Sequence, residues 1–408
     1  MRLTLTYIVL ALAMSADAQQ QLHTIADSYY EWTKVEYPVF ASDQGDHRFD
    51  ERMVDYSASA VAKRRAHVAE LLAKVNAMEM GAWPKDEKID WILFRSQLEA
   101  ADFGGRVLQS EETNPQTYTD TASNAIFSLL KKEYDTPQKR AMAAAARFRA
   151  MPELFEQGKK NLTKPVRLYS QLAIESARAI DPLFTDSVEP LARSLSPEQR
   201  KEFDAARDQA IRSAHAFADW LEKRLPQMQE WKAMGTEQYN FMLHHILLLP
   251  MSSDDVAHLG EVELARYRAL EAMLPDPSLA EPDPKRAKSI PPDQQAFLAA
   301  FQSHEQEIND FLREKKLITI PSYIGPFLIK QLPEAFKPTS PGGFMNPPGL
   351  FDKDNSGFYF IPTYDPTSKN FYIRASIEEP RPLLGHEGIP GHFLQISITS
   401  ARGSTAAR

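Results

Sequence analysis

The sequence predicts a mainly α protein: a large helical array with a small β-hairpin next to an apolar helix near its C-terminal end. Three observations predict it. Apolar residues recur at helical spacing through most of the chain from Tyr29 to Phe311. Helix-start grammar punctuates those stretches, as in Thr136-Pro137 and Ser196-Pro197-Glu198-Gln199. Each pairs an N-cap with a first-turn proline, and the second adds a capping-box Gln. After Thr319 the character changes: Pro and Gly accumulate, then two aromatic runs with strand character follow.

The elements follow in order. Val54 to Met78 and Ile89 to Leu108 read as helices. A helix starts at Pro137 and continues through the alanine-rich Ala141 to Ala146. Another starts at Pro197 and runs through Phe203, Ala210, Phe217 and Leu221. Gly235 to Leu248 and Ser253 to Leu274 form a helical pair broken at Pro250. Pro275 to Pro292, rich in proline and charge, reads as a surface connection, and Asp293 to Lys315 as a further helix. Pro321 to Gly349 reads as mostly irregular. Gly357 to Ile361 and Asn370 to Arg374, joined by the turn-rich Pro362 to Lys369, predict the hairpin. Arg381 to Thr399 is an apolar helix interrupted by Pro390-Gly391. The chain thus divides into residues 1–18, a helical domain over 19–318, and a Pro/Gly-rich, hairpin and motif region over 319–408.

Composition narrows the function. The 408 residues include 43% hydrophobic and 25% charged residues and no cysteine. A chain of this size builds a core without disulfides. Thiol nucleophiles and Cys-ligated metals are excluded. A net charge of -8 argues against nucleic acid as the main partner, because phosphate binding needs clustered Lys and Arg. At the N-terminus, Arg2 precedes the apolar run Leu3 to Met14 and then Ala16-Asp17-Ala18. That is the grammar of a signal peptide over residues 1–18, so export to the periplasm or beyond the cell is expected. The run is too short to span a bilayer, and no other segment is long enough, so no membrane span is expected.

The run HEGIPGHFLQ carries the chemistry. Zinc takes neutral imidazoles readily, and a Glu beside the first His can activate water. In H-E-x-x-H the two histidines stand four residues apart and share a helix face. Here His386 and His392 stand six apart. At ~100° per residue, six positions turn ~600°, which would point the rings ~120° apart on a straight helix. Pro390 argues against a straight helix, because its ring clashes with the carbonyl four residues back, that of His386. Gly391 adds conformational freedom. Together they predict a loop that returns His392 to the face of His386. The bland alternative is that Pro-Gly ends one helix and the pair is chance among ten histidines.

HEGIPGHFLQ resembles the HExxPGHxxQ signature of the bacterial domain-of-unknown-function family numbered 885. Members are exported or lipoprotein-like helical proteins regarded as zinc metallopeptidases, similar in fold to the thimet oligopeptidase and carboxypeptidase Taq group. The likeness extends to G-x-E-x-Y at Gly235 to Tyr239, to the helix Gly260 to Leu274, and to the strand pair ending at Arg374. It implies zinc on His386 and His392, with Glu387 as general base. It also implies a peptide substrate laid along the strand that begins at Gly357. Tyr359, Tyr364 and Tyr372 are candidate hydrogen-bond donors to the reacting group.

Two departures matter. Many relatives carry a second His where this chain has Phe393. The family also continues to an E-G-W-A motif whose Glu is the expected third ligand, yet Phe393 to Arg408 holds no Asp, Glu or His. Glu378, Glu379, Asp354 and Asp365 are the upstream acids left as candidates. The expectation is a zinc metallopeptidase cut short before its third ligand. The rival is a non-catalytic helical protein that binds peptides or partners and keeps a degenerate metal site.

Overall fold

The computed structural model describes residues 2–273, 290–333, 336–337, 340, 342–402 and 404, with side chains from Ala18 onward apart from Arg402. The chain is mainly helical with one small three-stranded sheet. In order, the helices are α1 (Arg2–Glu36), α2 (Pro38–Asp43), α3 (Ala58–Asn76), α4 (Lys85–Phe103), α5 (Ser110–Thr113), α6 (Gln116–Leu130) and α7 (Pro137–Asn161). Then come α8 (Arg167–Arg178), α9 (Asp181–Phe184), α10 (Glu189–Ala192), α11 (Pro197–Glu222), α12 (Thr236–Phe241) and α13 (Ser253–Met273). After these are α14 (Gln294–Glu314), α15 (Phe371–Glu378), α16 (Arg381–Glu387) and α17 (His392–Arg402). The strands are β1 (Phe327–Gln331), β2 (Phe344–Asn346) and β3 (Gly357–Ile361).

The caps act where the sequence puts them. Thr136 accepts from the Lys139 amide and starts α7. Ser196 and Gln199 cap each other's backbone and start α11. α7 and α11 then pair closely because small residues face each other: Ala141, Ala144, Ala206, Ala210 and Ala214 are all buried. Phe148 meets Phe203 with ring centroids 5.6 Å apart, and Phe155 meets Phe217 at 5.1 Å. This pair is the centre of the largest core. A separate core joins α1, α3 and α4 around Leu22, Val75, Phe94 and Leu98.

Arg147 crosses the large core with no exposed surface. Its guanidinium donates to Ala125 O at 2.6 Å, Ser128 Oγ at 3.0 Å, Ser42 Oγ at 2.6 Å, Pro38 O at 3.4 Å and Arg52 O at 3.2 Å. A buried cation needs such acceptors. One side chain thereby ties α2, α6, α7 and the chain at Arg52 together.

The sheet differs from the expected hairpin. Its order is β1-β3-β2, with β1 parallel and β2 antiparallel to β3. The two partners of β3 come from the Pro/Gly-rich stretch expected to be irregular. Asn370 to Arg374 is not a strand. The Asn370 side chain accepts from the Tyr372 amide at 2.9 Å and the Ile373 amide at 3.3 Å, which opens α15. An Asx N-cap outweighs the strand preference of the aromatics behind it.

Alternation splits β3 between two cores. Phe358 and Phe360 face the large helical core. Tyr359 and Ile361 face a second core with Phe327, Ile329, Leu384, Ile389 and Phe393. That core also takes Phe297, Phe301 and Leu312 from α14. The expected surface connection lies outside the described residues apart from Ile290 to Pro292. Among the described residues, no helix is long and apolar enough to cross a membrane.

Candidate metal centre

The second core holds the histidine motif against the sheet. α16 opens after Pro380 with Pro382 in its first turn and contains Leu384, His386 and Glu387. The Gly388 amide still bonds to Leu384 O at 2.8 Å, but the Gly388 backbone then leaves the helix at φ -98 and ψ -118. The Ile389–Pro390 peptide is cis. Gly391 folds back onto the end of α16. A Cβ there would stand 2.0 Å from the His386 carbonyl oxygen, so no residue with a side chain fits. α17 begins at His392, with Gln395 N bonded to Gly391 O at 3.1 Å.

The loop brings the two imidazoles together. Their ring centroids lie 4.4 Å apart with planes at 73°. Glu387 Oε1 stands 4.0 Å from His386 Nε2. The His386 side chain is 64% exposed and that of Glu387 20% exposed, so the imidazole is open while the carboxylate is sheltered.

Phe393, at the position of the relatives' second His, is fully buried. Its ring stacks on Phe327 at 5.0 Å and lies against Gly357, where a Cβ would come within 2.6 Å of it. Gly357 therefore supports the motif helix from behind. Nor does it begin a free edge. β3 is the central strand and is buried along its whole length. The expected backbone pairing of a substrate with β3 is thus corrected: both sides of β3 are already paired, and among the described residues the open edges belong to β1 and β2.

Tyr359 is 1% exposed, and its hydroxyl donates to Gly342 O over a long 3.4 Å. Burial, and then the charge of Glu387, push its hydroxyl pKa far above the usual phenol range. Tyr372, 55% exposed on α15, lies against the same Gly342, where a Cβ would be 3.0 Å from Tyr372 Cβ. Tyr364 sits in the second core and donates its hydroxyl to Pro291 O.

No third ligand joins the imidazoles among the described residues: no acid or histidine forms with them a set of three ligand atoms within 4.8 Å of one another. The four upstream acids are engaged elsewhere. Glu379 pairs with Arg381 and Glu378 with Arg374. Asp354 accepts from Ser356 and Asp365 from Thr367. The two imidazoles and the adjacent carboxylate suit zinc as part of a ligand set, and they supply two protein ligands of the three a catalytic site takes. The one described set of three is elsewhere. His23, Glu87 and Asp90 bring ligand atoms within 4.8 Å of one another, with His23 Nε2 2.8 Å from Glu87 Oε2. Glu87 and Asp90 share a face of α4 by spacing, but the approach of His23 from α1 has no local signal.

The fold and the motif define a mainly helical protein with a small sheet backing a paired-histidine helix. The chain belongs to the family of bacterial proteins of unknown function DUF885, whose model matches residues 38–407. Two solved structures share the fold. A "putative lipoprotein of unknown function" from Shewanella oneidensis superposes with a TM-score of 0.66 at 17% identity, covering 94% of this chain and 73% of that one. A "putative lipoprotein" from Colwellia psychrerythraea does so with a TM-score of 0.66 at 15% identity, again covering 94% and 73%. No curated protein matches the chain.

Proposed function

We propose that this protein is an exported zinc-dependent metallopeptidase that hydrolyses peptide bonds. One observation carries the reading: His386 and His392 stand six residues apart, yet their rings meet at 4.4 Å beside Glu387. Bound zinc supplies Lewis acidity to a peptide carbonyl and to water. His386 and His392 would hold it through ring nitrogens. Glu387 takes the proton of the attacking water and returns it to the leaving amine. Tyr359 stays protonated, and its long bond to Gly342 leaves a donor that a developing oxyanion can recruit. Tyr372 stands exposed next to the same glycine and offers an aromatic face to a side chain of the peptide. The peptide backbone pairs with the outer edge of β2, which carries Met345 opposite Tyr359. Export rests on the signal grammar of residues 1–18, and the two structural relatives are described as lipoproteins.

A second reading has its own observation. Among the described residues the imidazoles lack a third ligand, which favours a peptide-binding protein without turnover. One experiment separates the two. Residues 19–408 are purified, bound zinc is counted, and a mixed peptide library is assayed with Glu387→Gln as control. The peptidase reading expects stoichiometric zinc, with cleavage falling ~100-fold or more in Glu387→Gln, the scale of a lost general base. Cleavage indifferent to Glu387, or folded protein without zinc, overturns it. Zinc without cleavage supports the second reading.

A further inference from the structure

A cleft lies behind the sheet, on the side away from Tyr359 and the histidines. It encloses about 1130 Å³ between the α1–α2 region, the α6–α7 connection and the back of the sheet. Leu328, Lys330 and Phe358 form its floor, the residues of β1 and β3 that alternate with Phe327, Ile329 and Tyr359. Acids and bases both line it, and its cations are mostly neutralised at contact distance. Lys34 pairs with Glu31 at 2.5 Å, Arg48 with Asp46 at 2.5 Å, and Lys131 with Asp43 at 2.6 Å.

Lys330 is different. It is half-buried, and among the described residues it makes neither an ion pair nor a hydrogen bond. Its ammonium stands 4.0 Å from the centre of the Phe358 ring, and that of Lys132 stands 5.7 Å from the same ring. Lys132 donates to Asp352 Oδ2 at 2.6 Å and to Asp354 O at 2.7 Å. An ammonium has three donors, so Lys132 keeps one free and Lys330 keeps all of its own. The Asp354 carboxylate is turned to the amide and hydroxyl of Ser356. A sheltered cation with no acceptor costs free energy that a bound anion recovers. Burial, and next the charge of Lys132, hold the Lys330 ammonium below the usual lysine pKa range, against the smaller opposing charges of Asp354 and Glu133.

We propose that this cleft binds a small molecule through a phosphate or carboxylate group, held between Lys330 and Lys132 over the Phe358 ring. The site is independent of the histidine motif, which opens from the opposite face of the sheet. The test is competitive acylation of the whole protein, read lysine by lysine by mass spectrometry. Inorganic phosphate and citrate are the probes, with chloride at matched ionic strength as control. Only the free site reacts, so a probe at ~3 times its dissociation constant slows Lys330 labelling ~4-fold. Lys139, with 71% of its side chain exposed, keeps its rate. Protection by phosphate alone points to a phosphoryl ligand, and by citrate alone to a carboxylate. Lys132→Met, checked for folding by circular dichroism, is expected to weaken the protection. Equal labelling of Lys330 in chloride and in both probes overturns the proposal, as does equal slowing of Lys139.

Discussion

The helical body and the sheet-bearing unit bury their surfaces by different means. In the body, each segment brings its own periodic apolar face, and α7 meets α11 Ala on Ala and Phe on Phe. The fit is built from atoms that are present. In the sheet-bearing unit, the closest approaches depend on atoms that are absent. Gly357 lets Phe393 lie on the strand, and Gly391 lets the loop fold onto the His386 carbonyl. The body therefore tolerates exchange among apolar residues better than the motif unit tolerates a single added methyl group.

The comparison can be broken at its strongest point first. Arg147→Ala leaves five acceptors in the body without their donor. It is expected to cost about 3–5 kcal/mol in urea unfolding, the scale of a broken buried polar network. A loss below ~1 kcal/mol would mean that the body does not depend on this cross-tie. Next comes Gly357→Ala, whose Cβ would stand 2.6 Å from the Phe393 ring. Its expected cost is about 1–3 kcal/mol, the range for overpacking, and adding Phe393→Leu should recover part of it. No recovery in the double variant would show that the strain lies elsewhere.

The last effect is a gain, seen only toward neutral pH. Asp120 on α6 is driven by burial from 3.8 to about 6. A carboxyl with a raised folded pKa binds its proton more tightly in the folded state, so stability falls as pH rises between those two values. Asp120→Asn should remove that slope. It stabilises by about 3 kcal/mol at neutral pH and by nothing below pH ~3. Melting temperatures measured from pH 3 to 7 check it, and parallel curves for the two proteins would count against it.

Local physics was legible in the sequence and distant pairing was not. Thr136 and Ser196 announce α7 and α11 because a cap and its target lie three residues apart. The helical pattern likewise gives the mainly α class. Asn370 is a local signal too, since its side chain caps α15, but the aromatics after it carry an equally local strand preference. The sheet order had no such signal. β1 and β2 are short runs among prolines and glycines, and β3 selects them by long-range pairing. At the candidate site, the Pro-Gly pair was a local reason to doubt a straight helix, and the rings do meet. The use of Phe393 as a core residue under the motif comes from Gly357 and Phe327, both far from it in sequence.

β3 has no face toward water, because its alternate residues belong to two different cores. A slip of one residue would therefore exchange the two sets rather than expose either. Phe358 or Phe360 would take the place of Tyr359, and the phenol would turn toward the helical body. Hydrophobicity alone would barely object to that exchange. What opposes it is shape: the methyl-free notch at Gly357 must lie under Phe393. One glycine thus works as an indexing pin, setting which way the tyrosine points and whether the histidine helix can seat.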